Sequence, residues 1–149
     1  MPTRYAHTNL VARDWRTLAA FYRDVFECTF VPPERDLAGD WLERSTGLPG
    51  AALQGAHMRL PGYGEHGPTL EIFTYVDMED RPAVRANCRG FGHIAFAVDD
   101  VAQTLAQVLA HGGSSVGEIV TRPIAGAGTI TFVYAADPEG NLIELQTWQ

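Results

Sequence analysis

The 149 residues are 46% hydrophobic and carry a net charge of −7, and all eleven basic residues are arginines. This excludes a disordered chain, which lacks the apolar content for a core, and a nucleic-acid binder, which needs a basic footprint. Without lysine, Schiff-base chemistry through a lysine amine is excluded as well.

No apolar run approaches the roughly 20 residues of a membrane span, and the N-terminal residues hold no apolar core of a signal peptide. A cytoplasmic protein with no membrane and no nucleic-acid partner is expected. Cys28 and Cys88 have no CxxC spacing and read as reduced structural thiols.

Residues 4–11 alternate as a short strand, with Tyr5, His7, Asn9 and Val11 on one face. Asp14 caps a helix to about Phe26, in which Leu18, Phe21, Tyr22 and Val25 repeat at helical spacing. Residues 27–32 return as a strand that Pro32-Pro33 ends. Residues 34–50 read as an insertion with some helical character, broken by Gly47-Leu48-Pro49-Gly50. They are either a pocket wall or a surface connection. Strands follow at 51–60 and 69–76 around a turn at 61–68. Glu71 and Phe73 share one face of the later strand and Leu70 and Ile72 the other.

Residues 77–90 are polar and read as a linker between an N-terminal module, 1–76, and a C-terminal module, 91–149. The second module repeats the plan. A strand at 91–98 carries His93, Ala95 and Ala97 on one face. Asp99 or Asp100 caps a helix with Val101, Leu105 and Val108 inside, and Gly112-Gly113 ends it. Strands are expected at about 116–121, 129–135 and 142–148, with turn chemistry at Asp137-Pro138-Glu139-Gly140-Asn141. Each module is thus βαβββ.

The internal repeat singles out chemistry. Each half begins with a strand histidine, His7 or His93, and ends with a strand glutamate, Glu71 or Glu144. A lone strand histidine or glutamate is most often structural or solvated. Two halves that repeat the same pair are a different matter, because modules packed side by side would bring all four residues together. Two imidazoles and two carboxylates suit Zn, Ni, Co, Mn or Fe(II) and balance the charge of a divalent cation. Six-coordination would leave two positions for water or substrate oxygens. His57, His66 and His111 read as non-ligands. Trp41, Tyr63 and Phe73 are candidate pocket aromatics, with core packing the default. No nucleophile elbow, phosphate-binding loop or dinucleotide fingerprint is present.

Three segments carry a resemblance to a known family. They are His7-Thr8-Asn9-Leu10 through Phe21-Tyr22-Arg23-Asp24-Val25-Phe26, Gly92-His93-Ile94-Ala95-Phe96, and Asp137-Pro138-Glu139-Gly140-Asn141-Leu142-Ile143-Glu144-Leu145. Together they resemble the vicinal oxygen chelate superfamily, which includes glyoxalase I, methylmalonyl-CoA epimerase, extradiol dioxygenases and fosfomycin- or bleomycin-resistance proteins. The resemblance spans the chain except about 34–50 and 77–90.

It implies an α+β fold in which two tandem βαβββ modules form a half-open, mixed β-sheet barrel around one metal ion. The His7, Glu71, His93, Glu144 set is similar to that of bacterial-type glyoxalase I. It differs from bleomycin-binding members, which lack the metal ligands. The groups that hold glutathione in glyoxalase I are not assignable here with Arg13, Asn9 and Arg16 as the candidates.

The expected function is a metal-dependent lyase, isomerase or epimerase acting on a small molecule. The metal would stabilise the enediolate formed by proton loss next to a chelated carbonyl. Glu144, with Glu71 as its counterpart, would be the base. The alternatives are an Fe(II) extradiol-type dioxygenase using His7, His93 and Glu144, and a drug-binding protein without turnover. A homodimer is expected from the frequency of two-fold assemblies.

Overall fold

The computed structural model describes residues 2–149. It shows an α+β protein with two mixed sheets. The chain divides into a first unit that ends at Arg81 and a second from Pro82 to Gln149.

In the first unit, β1 (His7–Val11) leads into α1 (Trp15–Phe26). The Asp14 carboxylate caps α1 by accepting from the backbone N–H of Arg16 and Thr17 and from the Thr17 hydroxyl. These bonds, the Thr17 hydroxyl first, hold the Asp14 carboxyl below its usual range. Then come β2 (Thr29–Ala38), α2 (Asp40–Thr46), β3 (Ala52–Arg59) and β4 (Thr69–Tyr75). The strand order is β1-β4-β3-β2, with β1 parallel to β4 and the other pairs antiparallel.

Period 2 divides this sheet cleanly. Ala56, Met58, Leu70 and Ile72 are buried on one face, and α1, which packs on β3 and β4, buries Leu18, Phe21 and Tyr22. The other face carries His7 and Asn9 from β1, Thr69, Glu71 and Phe73 from β4, and Gly55, His57 and Arg59 from β3. One end of that face is apolar. There α2 contributes Leu42 to a cluster with Ala51, Leu53 and Phe73, flanked by Leu37 and Tyr75. Within the 34–50 stretch, α2 therefore covers the apolar end, while Arg35 lines the cleft at the His/Glu end. Trp41 and Tyr63 stay exposed, and Phe73 packs in the cluster.

The prolines do not end β2 as expected. Pairing with β3 stops at Val31, skips across the cis Pro32-Pro33 bond and resumes at Arg35 opposite Gly55. A bulge lets the strand pass two residues that lack a ladder N–H, which an edge strand tolerates.

The second unit repeats the order. It comprises β5 (Ile94–Ala97), α3 (Val101–Ala110), β6 (Ser114–Ser115), β7 (Val120–Ile124), β8 (Gly128–Ala136) and β9 (Leu142–Trp148). Asp100 caps α3 through the Gln103 N–H. Val101 and Val108 are buried and Leu105 is half-buried. β5 runs parallel to β9, and β9 antiparallel to β8. The expected strand at 116–121 is instead two pieces. β6 and β7 pair with different stretches of the same edge of β8, as the two halves of β2 do with β3. Between them the N–H groups of Val116 and Gly117 both bond to the Tyr134 carbonyl before the chain leaves the ladder.

The Asp137 carboxylate fixes the turn before β9, accepting from the backbone N–H of Glu139 and Asn141 and from the Asn141 amide. Among the described residues, no helix is long and apolar enough to cross a membrane.

Candidate metal centre

In the first unit the pairing of β3 with β4 sets His57 opposite Glu71, and β1 adds His7 and Asn9 on the same face. His57 Nε2 lies 2.9 Å from Glu71 Oε2, and His7 Nε2 lies 3.4 Å from Glu71 Oε1. The Asn9 amide donates to Glu71 Oε1 and to the Glu71 carbonyl, 3.1 Å each. The two imidazoles meet edge-on at 5.5 Å.

His57 is braced from behind, its Nδ1 lying 2.7 Å from the hydroxyl of buried Thr69. A hydroxyl both donates and accepts. Thr69 can therefore serve His57 with the ring proton on Nε2 facing Glu71, or on Nδ1 with the Nε2 lone pair free for a metal. Burial pushes the His57 imidazole below its usual range; Arg35 and His7 add to this, and Glu71 opposes it. Neutral imidazole is the form that binds metal.

Donor atoms of His7, His57 and Glu71 all lie within 4.8 Å of one another. Two nitrogens and a carboxylate at that spacing fit a borderline divalent ion, whose ligand bonds are about 2.0–2.2 Å.

In the second unit His93 stands just before β5, its Nε2 3.0 Å from Glu144 Oε2. The Glu144 side chain is 13% exposed and that of Glu71 16%. The Tyr134 ring lies 4.9 Å from that of His93.

The repeat holds at the level of register. Asn9 pairs with Glu71 and Ala95 with Glu144, and in both units the histidine stands two residues earlier. On the other side His57 pairs with Glu71, and Tyr134 with Glu144. His57 and Tyr134 are therefore equivalent positions.

Each unit brings its expected histidine and glutamate together. His57, which the sequence repeat marks as a non-ligand, joins the first cluster. His66 lines a cleft beside it. His111 binds the Gln107 carbonyl at the end of α3. Of the candidates for holding glutathione, Asn9 is engaged with Glu71, Arg16 pairs with Glu34, and Arg13 pairs with Asp80.

Comparison with known proteins fits this picture. A glyoxalase-family protein from Bacillus cereus superposes with a TM-score of 0.83 at 20% identity, over 99% of this chain and 95% of that one. The fosfomycin resistance protein FosX from Listeria monocytogenes superposes with a TM-score of 0.62 at 17% identity, over 100% and 96%. A further FosX structure, with Mn(II) and sulfate ion, gives 0.55 at 15% identity, over 100% and 95%. At these identities the likeness is one of fold. No curated protein matches the sequence. The profile of the glyoxalase/bleomycin resistance protein/dioxygenase superfamily matches residues 4–145, and the chain belongs to that superfamily.

Proposed function

We propose that the protein is a metal-dependent lyase, isomerase or epimerase of glyoxalase type, acting on a small molecule by removing a proton next to a carbonyl. The observation that carries this is the duplicated register: a histidine and a glutamate at equivalent places in both units, each pair in contact. His7 and Glu71, with His57 beside them, are the proposed divalent-metal ligands of the first unit, and His93 and Glu144 those of the second. FosX, described with Mn(II), supports an ion of this kind. Ni, Co, Zn, Mn and Fe(II) all suit the donor set. When bound, the ion supplies Lewis acidity to substrate oxygens.

The two glutamates divide the work. Asn9 and two histidines hold Glu71, so it is a fixed anchor. Glu144 has His93 as its one side-chain partner among the described residues. It is the carboxylate free to take a proton from the carbon and return it. Glu144→Gln in metal-loaded protein is expected to lower turnover of hemithioacetals or acyl-CoA epimers by roughly 10²–10⁴-fold with metal content kept. Full turnover in the variant contradicts this role.

A second reading draws on the same contacts. If Asn9 and His57 keep Glu71 for themselves, the donors left are His7, His93 and Glu144, the residue types of the two-histidine, one-carboxylate set of Fe(II) oxygenases. Oxygen uptake with catechols separates the two. A homodimer accompanies either reading.

A further inference from the structure

Beside His7 and His57 the first unit opens into a cavity of about 880 Å³ whose wall includes Arg4, Arg35, Arg59 and His66. Among the described residues, no carboxylate lines it. That is unexpected in a chain with 18 acidic residues and a net charge of −7.

Outside the cleft, Arg13, Arg16, Arg23 and Arg44 each pair with a carboxylate, while Arg85, Arg89 and Arg122 show no such pair among the described residues. Among the described residues, Arg4, Arg35 and Arg59 have no such partner. The ladder explains how two of them reach the cleft. Val31 pairs with His57 and Arg59 with Thr69, and past the bulge β2 presents Arg35 opposite Gly55, on the face that carries His57. Arg35 donates to the Pro33 carbonyl, and Arg59 donates to the Gly67 carbonyl at 2.5 Å. Each contact steadies a guanidinium while leaving it further N–H donors. Unpaired guanidinium groups fixed in a cleft match the planar, bidentate geometry of carboxylate and phosphoryl oxygens.

We propose that this cleft takes an oxyanion group of the substrate, carboxylate or phosphoryl, held by Arg35 and Arg59 beside the metal centre. The inference deepens the proton-abstraction reading and rests on it for calling the bound anion part of a substrate.

The test titrates the full chain by calorimetry with inorganic phosphate, with acetate and, separately, with Mn(II) alone. Saturable anion binding is expected, weakened about tenfold in Arg35→Gln or Arg59→Gln, as loss of a charged hydrogen bond implies. Arg122→Gln, on β7, should bind as the parent does. Phosphate without acetate assigns a phosphoryl group, and both assign an oxyanion of either kind. As a check that needs no variant, the ring signals of His57 and His66 should move with phosphate while those of His111 stay. No saturable binding, or binding indifferent to both arginine changes, overturns the proposal. Mn(II) binding that persists in such a case leaves the metal-dependent reading standing; its loss in the parent protein removes that reading instead.

Discussion

His57 and Glu71 face each other across the β3–β4 ladder, Nε2 to Oε2, at 2.9 Å. Each limits the other's freedom, and Thr69 limits that of His57 in turn. His57→Ala is expected to weaken metal binding by about 10–100-fold, the usual effect of losing a ligand's support, with the fold intact by circular dichroism. Titration with Mn(II) or Zn(II) checks it.

The same contact sets a pH dependence. Burial disfavours charged His57 in the folded chain, so its folded pKa lies below the unfolded value of 6.5. Above 6.5 both states hold it neutral and it adds no pH dependence. As the pH falls below 6.5 the unfolded chain takes up the proton first, and native stability declines until folded His57 itself titrates. Thermal unfolding of metal-free protein from pH 7.5 to 5 should show this decline, and His57→Gln should flatten it.

Gly55 makes room for the site. A Cβ there would lie 2.0 Å from the Ile72 carbonyl oxygen and 2.6 Å from the Phe73 ring. The first obstacle is backbone, so Gly55→Ala must push β4 from β3 and disturb the His57–Glu71 register. A loss of about 1–3 kcal/mol is expected from such overpacking, measurable by denaturant unfolding, together with weaker metal binding.

The two cysteines should separate chemically. Burial pushes the Cys28 thiol up to about 12, so it stays protonated and shielded at neutral pH. Cys88 is exposed. A thiol-reactive chromogen at pH 8 should label Cys88 alone in the native protein and both after denaturation.

The contacts of His7 with Glu71 and of His93 with Glu144 were legible because the chain writes that pair twice, in or beside strands whose alternation survives without tertiary information. His57 was not, for a reason the register supplies: its counterpart is Tyr134, so a search for repeats passes over it. A signal did exist. Closing the hairpin at Leu60 and Pro68, as the structure does, puts His57 opposite Glu71. The helices α1 and α3 were readable from Asp14, Asp100 and apolar spacing, whereas α2 showed only as some helical character in the 34–50 stretch. The passage of β2 through Pro32-Pro33 was not, because a bulge is decided by the partner strand. The break between β6 and β7 escaped for the same reason. The three cleft arginines are separated in sequence, and only the ladder gathers Arg35 and Arg59 onto one face.

Whether the protein holds a metal through His7 is decided by elemental analysis of tag-free protein purified without chelator, beside His7→Ala. About one divalent ion per chain, lost in the variant, is the predicted result. No metal even after reconstitution, or a full load in His7→Ala, would contradict it.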